Sequence, residues 1–194
     1  MKPARWACCR ALALWAALAL GAAVPATAEV APQAADVLVS DQATPPAADD
    51  PRWRPVRLTH VERAPAAWFR VRFDAPAALV ADASAALYLP FLYGGGRVAL
   101  NGVPVAQVIE DRDTSVVRWT RPMLLPLPAG VLRAQDNVLL VRTAAAHGER
   151  TAILPRLRIG AQAELQPLHD RRLLVVHTLP MVTVIAGSVV GVLV

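Results

Sequence analysis

Residues 97–108 read RVALNGVPVAQV, with Asn101-Gly102 between two short runs of β-forming residues. Asn and Gly both tolerate the positive φ angle that a type I′ turn requires, so this dipeptide is the strongest short signal for a β-hairpin. We therefore predict two antiparallel strands here. The sequence on both sides supplies further strands with which this hairpin can form a sheet.

Strand-like segments precede and follow the hairpin. Arg70-Val71-Arg72-Phe73 alternates polar and apolar residues, as a half-buried strand does, and ASAALYLPFLY (83–93) is a mostly apolar run. Later candidates are VVRWT, MLLPLP, NVLLVRT and ILPRLRI. Pro, Gly and Asp-Asn separate these segments at roughly the 8–12-residue spacing of sandwiches and barrels. No long segment of helical period lies between residues 53 and 160, so we predict one all-β domain over 51–160 with a two-sheet core.

The N-terminus has the features of a secretory signal peptide over residues 1–28. Three cations precede an apolar run over 12–24, and no acid occurs in the segment. Ala26-Thr27-Ala28 offers small residues for cleavage. An uncleaved signal anchor is the alternative. Both cysteines, Cys8 and Cys9, lie in this segment, so the mature chain offers no disulfide or thiolate ligand. Residues 29–50 are rich in Ala, Pro and Asp and are expected to form a linker, with a short strand at 37–39.

At the C-terminus, residues 161–172 look like a connector that becomes helical. Leu173 to Val194 is a run of 22 residues without Asp, Glu, Lys or Arg. As a helix it would be about 33 Å long, enough to cross a bilayer, so we predict one transmembrane helix over 173–194. A buried terminal strand is the alternative, because the run is rich in Val. If the run is a transmembrane helix after a cleaved signal peptide, Arg171 and Arg172 lie on the outer side of the membrane, against the positive-inside bias. We therefore expect this helix to be the first of several in a truncated receptor.

Charge argues against a nucleic-acid partner. The formal charge of +5 falls to +2 once the signal peptide takes away Lys2, Arg5 and Arg10. An exported chain with so small an excess of cations does not have the basic surface of a DNA- or RNA-binding domain.

Several segments, in order, resemble the galactose-binding-like jelly roll. They are AWFRVRFDAP, ALYLP, RVALNGVPV and RWTRPMLLPLPAGVLRAQDNVLLVR. The version they resemble is the extracytoplasmic sensor domain of bacterial receptors with several membrane helices and diverse intracellular signalling modules. ILPRLRIGAQAELQPLHDRRLLVVHTLP is similar to that group's exit into its first membrane helix. The sequence departs from the pattern at Ala134-Gln135, where Pro-Gly is usual, and at His169, where an aromatic residue is common.

The resemblance implies a ligand-sensing domain in the periplasm, anchored in the inner membrane, at the N-terminal end of a sensor histidine kinase. It also implies that enzyme activity, if any, belongs to a module beyond this chain, and it leaves room for a homodimer through the membrane part. A diguanylate cyclase output is one alternative. A membrane-anchored carbohydrate-binding or envelope interaction protein without signalling output is another, and its partner would be a sugar rather than another small molecule.

No residue pattern points to catalysis, a cofactor or a metal. Glu110-Asp111-Arg112-Asp113 gathers three acids, but its arginine opposes a dication, so a solvated loop is expected. For ligand binding we single out Trp119, flanked by Arg118 and Arg121, together with Tyr93. Aromatic faces beside polar groups suit small ligands and sugars, although aromatic residues on strands also pack in sandwich cores.

Overall fold

The computed structural model describes residues 28–110, 121–146 and 149–193. Apart from Ala28, the predicted signal peptide lies outside these residues. Within them the chain forms eleven strands: β1 Ala34–Val39, β2 Arg54–Arg57, β3 His60–Glu62, β4 Ala66–Phe73, β5 Ala85–Leu89, β6 Gly96–Leu100, β7 Val103–Val108, β8 Met123–Pro126, β9 Asn137–Ala144, β10 Ala152–Leu154 and β11 Arg158–Ala161. The helical elements are α1 Ala77–Val80, α2 Gln162–Leu173, a π-helical turn Leu174–Thr178 and α3 Leu179–Leu193.

Six strands form one antiparallel sheet in the order β2-β1-β4-β9-β6-β7. Its central strands, β4 and β9, pair along their full length, from Ala66 opposite Ala144 to Phe73 opposite Asn137. Side chains alternate across a strand, so Val71 and Phe73 point into the core while Arg72 is exposed on the other face. The strand predicted at 70–73 is confirmed, but it is more than half-buried, because Arg70 on the outer face is covered too.

A second layer covers the inner face of this sheet. β11, β5 and β8 form a three-stranded sheet, and β10 pairs with β3 at one end. Apolar residues of both layers form one buried cluster, to which Phe69, Leu87, Val141 and Ile159 each contribute a side chain that is at most 1% exposed. The all-β sandwich predicted from the sequence is confirmed.

The hairpin predicted at residues 97–108 joins β6 to β7. Asn101 and Gly102 have φ angles of 51° and 83°, the positive values that a type I′ turn needs. The Asn101 side chain also ties the turn to the sandwich, because its Nδ2 donates to the Val131 carbonyl at 2.7 Å. A bulge between Val98 and Ala99 shifts the register of this hairpin and bends its edge.

The predicted linker over residues 29–50 is instead largely part of the sandwich. β1 lies between β2 and β4, and Val30 forms a bridge with Ile159 of β11. The physical reason is the apolar alternation of β1, which buries Val37 in the core and Leu38 on the opposite face. The domain therefore begins before residue 51.

Helix α2, in the predicted connector, packs on the outer face of the three-stranded sheet. Leu165 is fully buried there against Ala86 and Tyr88 of β5. This contact docks the whole α2 helix on the sandwich, so the connector is part of the folded domain.

The C-terminal run differs from the single transmembrane helix predicted over 173–194. No helix in the described part of the chain is both long and apolar enough to cross a membrane. The π-helical turn interrupts the run directly before α3. Pro180 explains the interruption, since it has no N–H to donate to the Val176 carbonyl and its ring crowds that group, which a widened turn relieves. The alternative of a terminal strand is wrong, because residues 173–193 are helical.

Candidate functional site

Three large polar side chains stand in a row on the outer face of the six-stranded sheet. Trp68 on β4 lies opposite Arg142 on β9, and Arg142 lies opposite Arg97 on β6. Directly paired residues share a face of the sheet, so the three side chains are neighbours. Trp68 and Arg142 are buried, whereas Arg97 is exposed.

Residues 40–53, which we call the strap, cover this row. The Gln42 carbonyl accepts hydrogen bonds from Trp68 Nε1 and from Arg142 Nε, both at 3.0 Å. The Ala43 carbonyl accepts one from Arg97 Nη1 at 3.2 Å. The strap has little regular structure of its own, so these donors satisfy main-chain oxygens that would otherwise be buried unpaired.

The far half of the strap is held by Arg70. This arginine donates from Nε and Nη2 to Asp36 Oδ2, at 3.0 and 2.9 Å, and from Nη1 to the Ala48 carbonyl at 2.5 Å. Its guanidinium also lies 4.4 Å from the ring centroid of Trp53, a cation–π contact. The strap is therefore fixed at both ends of its course over the sheet.

Arg142 carries a charge in a place from which water is nearly excluded. Its guanidinium forms an ion pair with Glu110, and its Nη2 donates to the Asp41 carbonyl at 2.9 Å. Burial is the main cause that lowers the pKa of Arg142, the neighbouring charge of Arg97 lowers it further, and Asp41 opposes both. Arg97 and Asp41 thus act on this buried pair with opposite signs.

A cleft of about 390 Å³ opens beside the strap, on the face that carries Arg97. Ala43 and Pro45 of the strap form one wall, and residues of the β6–β7 hairpin form the floor and the other wall. Its volume is at the lower end of the range for small-molecule sites, about 300–1,000 Å³. The cleft exists only because the strap crosses the sheet next to the bulged hairpin.

The polar groups of the cleft are few and close together. Arg97 lies directly opposite Gln107 in the hairpin register, and both are exposed. The described lining contains no acid, and the Trp68 indole N–H is already bonded to the strap. The cleft therefore presents donors against mostly apolar walls.

A second feature is the loop over residues 90–96, which we call the glycine loop. Gly94, Gly95 and Gly96 pack so closely on neighbouring main chain that a Cβ at any of them would meet a carbonyl oxygen at 2.2 Å, 2.3 Å or 1.8 Å. The glycine loop is thus tightly packed against the ends of β7 and β9. The next residue along the chain is Arg97.

The other end of the glycine loop contacts helix α2. Arg172 donates from Nε to the Pro90 carbonyl at 2.9 Å, and its guanidinium lies 5.5 Å from the Phe91 ring centroid. Phe91 in turn lies 4.4 Å from the ring of Tyr93. We call this contact of Arg172 with the loop the latch. One eight-residue stretch, 90–97, therefore joins the end of α2 to the cation of the cleft.

The four ligand-binding residues chosen from the sequence fall in different places. Arg118 and Trp119 lie outside the described residues. Tyr93 is half-buried in the glycine loop, and Arg121 is exposed just before β8. Neither of these two lines the cleft. Sequence reasoning missed Arg97, whose one signal was its place at the start of the predicted hairpin.

Among the residues that the structure describes, no group of three or more His, Cys, Asp or Glu is placed to hold a metal ion. Glu110, the described member of the acidic segment, is engaged with Arg142.

No protein-family model and no curated protein sequence matches the chain. Among solved structures, a glycosyl hydrolase family 2 member from Bacteroides cellulosilyticus is similar, with 16% identity, a TM-score of 0.52, and a match over 69% of this chain and 20% of that one. A β-glucuronidase from Ruminococcus gnavus has 11% identity and a TM-score of 0.51, over 69% of this chain and 29% of that one. The chain spans less than a third of either protein, and at these identities the likeness shows the fold alone. It supports the galactose-binding-like β-sandwich expected from the sequence.

Proposed function

We propose that this chain is the ligand-sensing, extracytoplasmic part of a membrane-bound signalling receptor, with its ligand in the cleft and its output through α2 and α3. The observation that carries the proposal is the continuity of residues 90–97, which join the latch on α2 to Arg97 in the cleft. The receptor type expected from the sequence resemblance is a sensor histidine kinase.

The path between the two ends consists of close contacts. A ligand that moves Arg97 also moves Gly96, where the Arg142 carbonyl leaves no room for a side chain. The glycine loop has little room to absorb such a displacement, because packed main chain behaves as a stiff body. The displacement is therefore expected to reach Pro90 and Phe91, and through Arg172 the end of α2.

Thermodynamics limits what a ligand can do here. It shifts the latch only by the difference between its affinities for the latched and released arrangements. Coupling energies of this kind are typically about 1–3 kcal/mol. One hydrogen bond and one cation–π contact hold the latch, so its strength falls in the same range, and ligand binding suffices to bias it.

The exposed apolar side chains of the C-terminal helix favour contact with a partner outside the sandwich. Large apolar side chains are exposed along it: Leu174, Val175, Leu179, Met181, Val182, Val184 and Ile185. Such a continuous apolar surface is typical of segments that contact other helices or lipid. We propose that these side chains contact further helices of the same receptor within the inner membrane, with the sandwich in the periplasm.

The carbohydrate-binding alternative finds less support in the cleft. Sugar sites need aromatic faces and several polar partners, and Trp68, the aromatic residue of the lining, is only 2% exposed. The similar solved structures include glycosidases, but that likeness extends to fold only.

The latch is tested by hydrogen exchange on the full chain carrying Arg172→Gln, with Arg171→Gln as the matched control. Arg171 is the adjacent arginine, is exposed, and loses the same charge. We expect faster exchange in both residues 90–96 and α2 for Arg172→Gln, and no change for the control. If the two segments respond separately, or if both variants behave alike, the latch does not couple them and the proposal fails.

A further inference from the structure

We propose that the cleft binds a small organic carboxylate, with Arg97 as the group that recognises the anion. This inference rests on the proposed function for the identity of the binding site, and it adds the chemical class of the ligand. It differs from the sugar that the carbohydrate-binding alternative requires.

The charge of the lining favours an anionic ligand. Arg97 is the cation of the described lining, and no acid lies beside it there. Arg97 is exposed, and within the described residues its guanidinium makes one hydrogen bond, to the Ala43 carbonyl, although its planar fork can donate several. Arg70 and Arg142, by contrast, are each paired with a carboxylate. An anion in the cleft would add a carboxylate to the carbonyl that Arg97 contacts among the described residues.

The planar guanidinium of Arg97 favours a planar anion, namely a carboxylate. A guanidinium binds a carboxylate through two parallel N–H···O bonds, an arrangement stronger and more directional than a single bond. Gln107 lies opposite Arg97, so its amide can donate a further hydrogen bond to the same group. Two adjacent donors on one wall suit one carboxylate better than the several hydroxyls of a sugar.

The rest of the lining sets the body of the ligand. Ala43, Pro45, Ala99, Pro104 and Val105 are apolar and offer contact area without further polar partners. A ligand that fits has one charged end and a compact, largely apolar remainder. The cleft of about 390 Å³ has room for one ring or a short branched chain.

The test uses two pairs of probes matched in shape: benzoate with benzamide, and cyclohexanecarboxylate with cyclohexanecarboxamide. Each pair differs in charge and little else. Binding to the full chain is followed by NMR through the Nε–Hε resonances of the arginines, with inorganic phosphate as a third probe. We expect the carboxylates to shift the Arg97 resonance and the amides to bind at least about tenfold more weakly, as charged hydrogen bonds differ from neutral ones.

Two variants assign the effect. Arg97→Gln is expected to weaken carboxylate binding by about 10- to 100-fold, and Arg97→Lys by less, because it keeps the charge and loses the fork. Arg57→Gln on β2, at the opposite edge of the same sheet, is the control and should bind as wild type does.

Three results would overturn the inference: amides that bind as tightly as acids, phosphate that binds as tightly as benzoate, or no carboxylate bound at all. The proposed function is judged separately by hydrogen exchange of α2 in the same samples. If benzoate binds at Arg97 without any change in α2, the ligand class stands and the sensor function fails. If a neutral ligand binds in the cleft and changes hydrogen exchange in α2, the sensor function stands and the proposed ligand class fails.

Discussion

Arg142 shows how one side chain can organise a face of the sheet. It is 1% exposed, and its partners come from the strap and from Glu110 at the end of β7. A buried charge costs free energy unless hydrogen-bonding partners surround it. Arg142 and its partners therefore stabilise the fold as a set, and the loss of any one of them leaves the others unpaired. The strap can follow its course over the sheet because this guanidinium donates hydrogen bonds to its carbonyl oxygens.

We expect Arg142→Gln to lower the free energy of unfolding by about 3 kcal/mol, since it leaves the Glu110 carboxylate and the strap carbonyls short of donors. Chemical denaturation with circular dichroism measures the change. Arg72→Gln, on the same face but exposed, should cost less than about 0.5 kcal/mol. Equal losses of unfolding free energy in the two variants would mean that the buried ion pair does not stabilise the fold.

The structural roles of individual residues differ in how well the sequence predicts them. Asn101-Gly102 was predictable because its turn depends on the two residues themselves. Arg97 was not, because the cleft around it needs Ala43 and Pro45, more than fifty positions earlier in the chain. Alternation shows that a side chain leaves the core, but not what then covers it.

Two glycines at the ends of β6 test how this strand is fixed. At Gly96, with φ 151°, a Cβ would lie 1.8 Å from the Arg142 carbonyl oxygen, whereas at Gly102, with φ 83°, nothing lies within 4 Å. We expect Gly96→Ala to cost about 3 kcal/mol, from backbone clash and strain together, and Gly102→Ala about 1 kcal/mol, from the left-handed conformation alone. Thermal or denaturant unfolding compares them, and a smaller loss at Gly96 would show that the glycine loop is not tightly packed.

Glu62 links strands β2 and β3. It accepts a hydrogen bond from Arg54 at 2.9 Å and lies 3.0 Å from His60 Nε2. Burial raises the pKa of Glu62, but His60 and Arg54 together outweigh it and hold that pKa below its ordinary 4.5. A carboxyl with a lowered pKa in the folded state stabilises the protein above its unfolded pKa, and this contribution is lost as the pH falls.

The difference in unfolding free energy between wild type and Glu62→Gln is therefore expected to be about 1 kcal/mol at pH 7 and to shrink as the pH falls below about 4.5. Denaturation at a series of pH values measures it. Taking the difference removes the contribution of other carboxyls, such as Asp50, whose pKa Arg52 holds at about 2. A difference that stays constant down to pH 3 would show that this ion pair does not affect stability.

Elements were more predictable than their connections. The strands at 70–73, 97–108 and 137–144 follow from alternation and turn residues, which act within a few positions. The π-helical turn at Leu174–Thr178 depends on Pro180 inside an apolar run, a pattern that hydropathy alone treats as one helix. The docking of α2 depends on Leu165 meeting Ala86 and Tyr88, a contact between distant parts of the chain.

At the level of the whole molecule, the two outer faces of the sandwich carry different elements. The strap and the cleft lie on the six-stranded sheet, and α2 lies on the three-stranded sheet. The glycine loop passes between the two layers at one end, where it contacts β9 on one side and Arg172 on the other. The strand order β2-β1-β4-β9-β6-β7 creates this route, and no local pattern in the sequence specifies that order.

The most direct test of the sensor function is to fill the cleft and observe α2. Ala99, a half-buried residue of the cleft lining, is replaced by Phe in the full chain, and hydrogen exchange is followed along the whole sequence. Val61→Phe, at an exposed site on β3 outside the cleft, adds comparable bulk as a control. The proposal predicts altered exchange in residues 90–96 and in α2 for Ala99→Phe only. A change confined to residues 97–107, with α2 as in wild type, would contradict it.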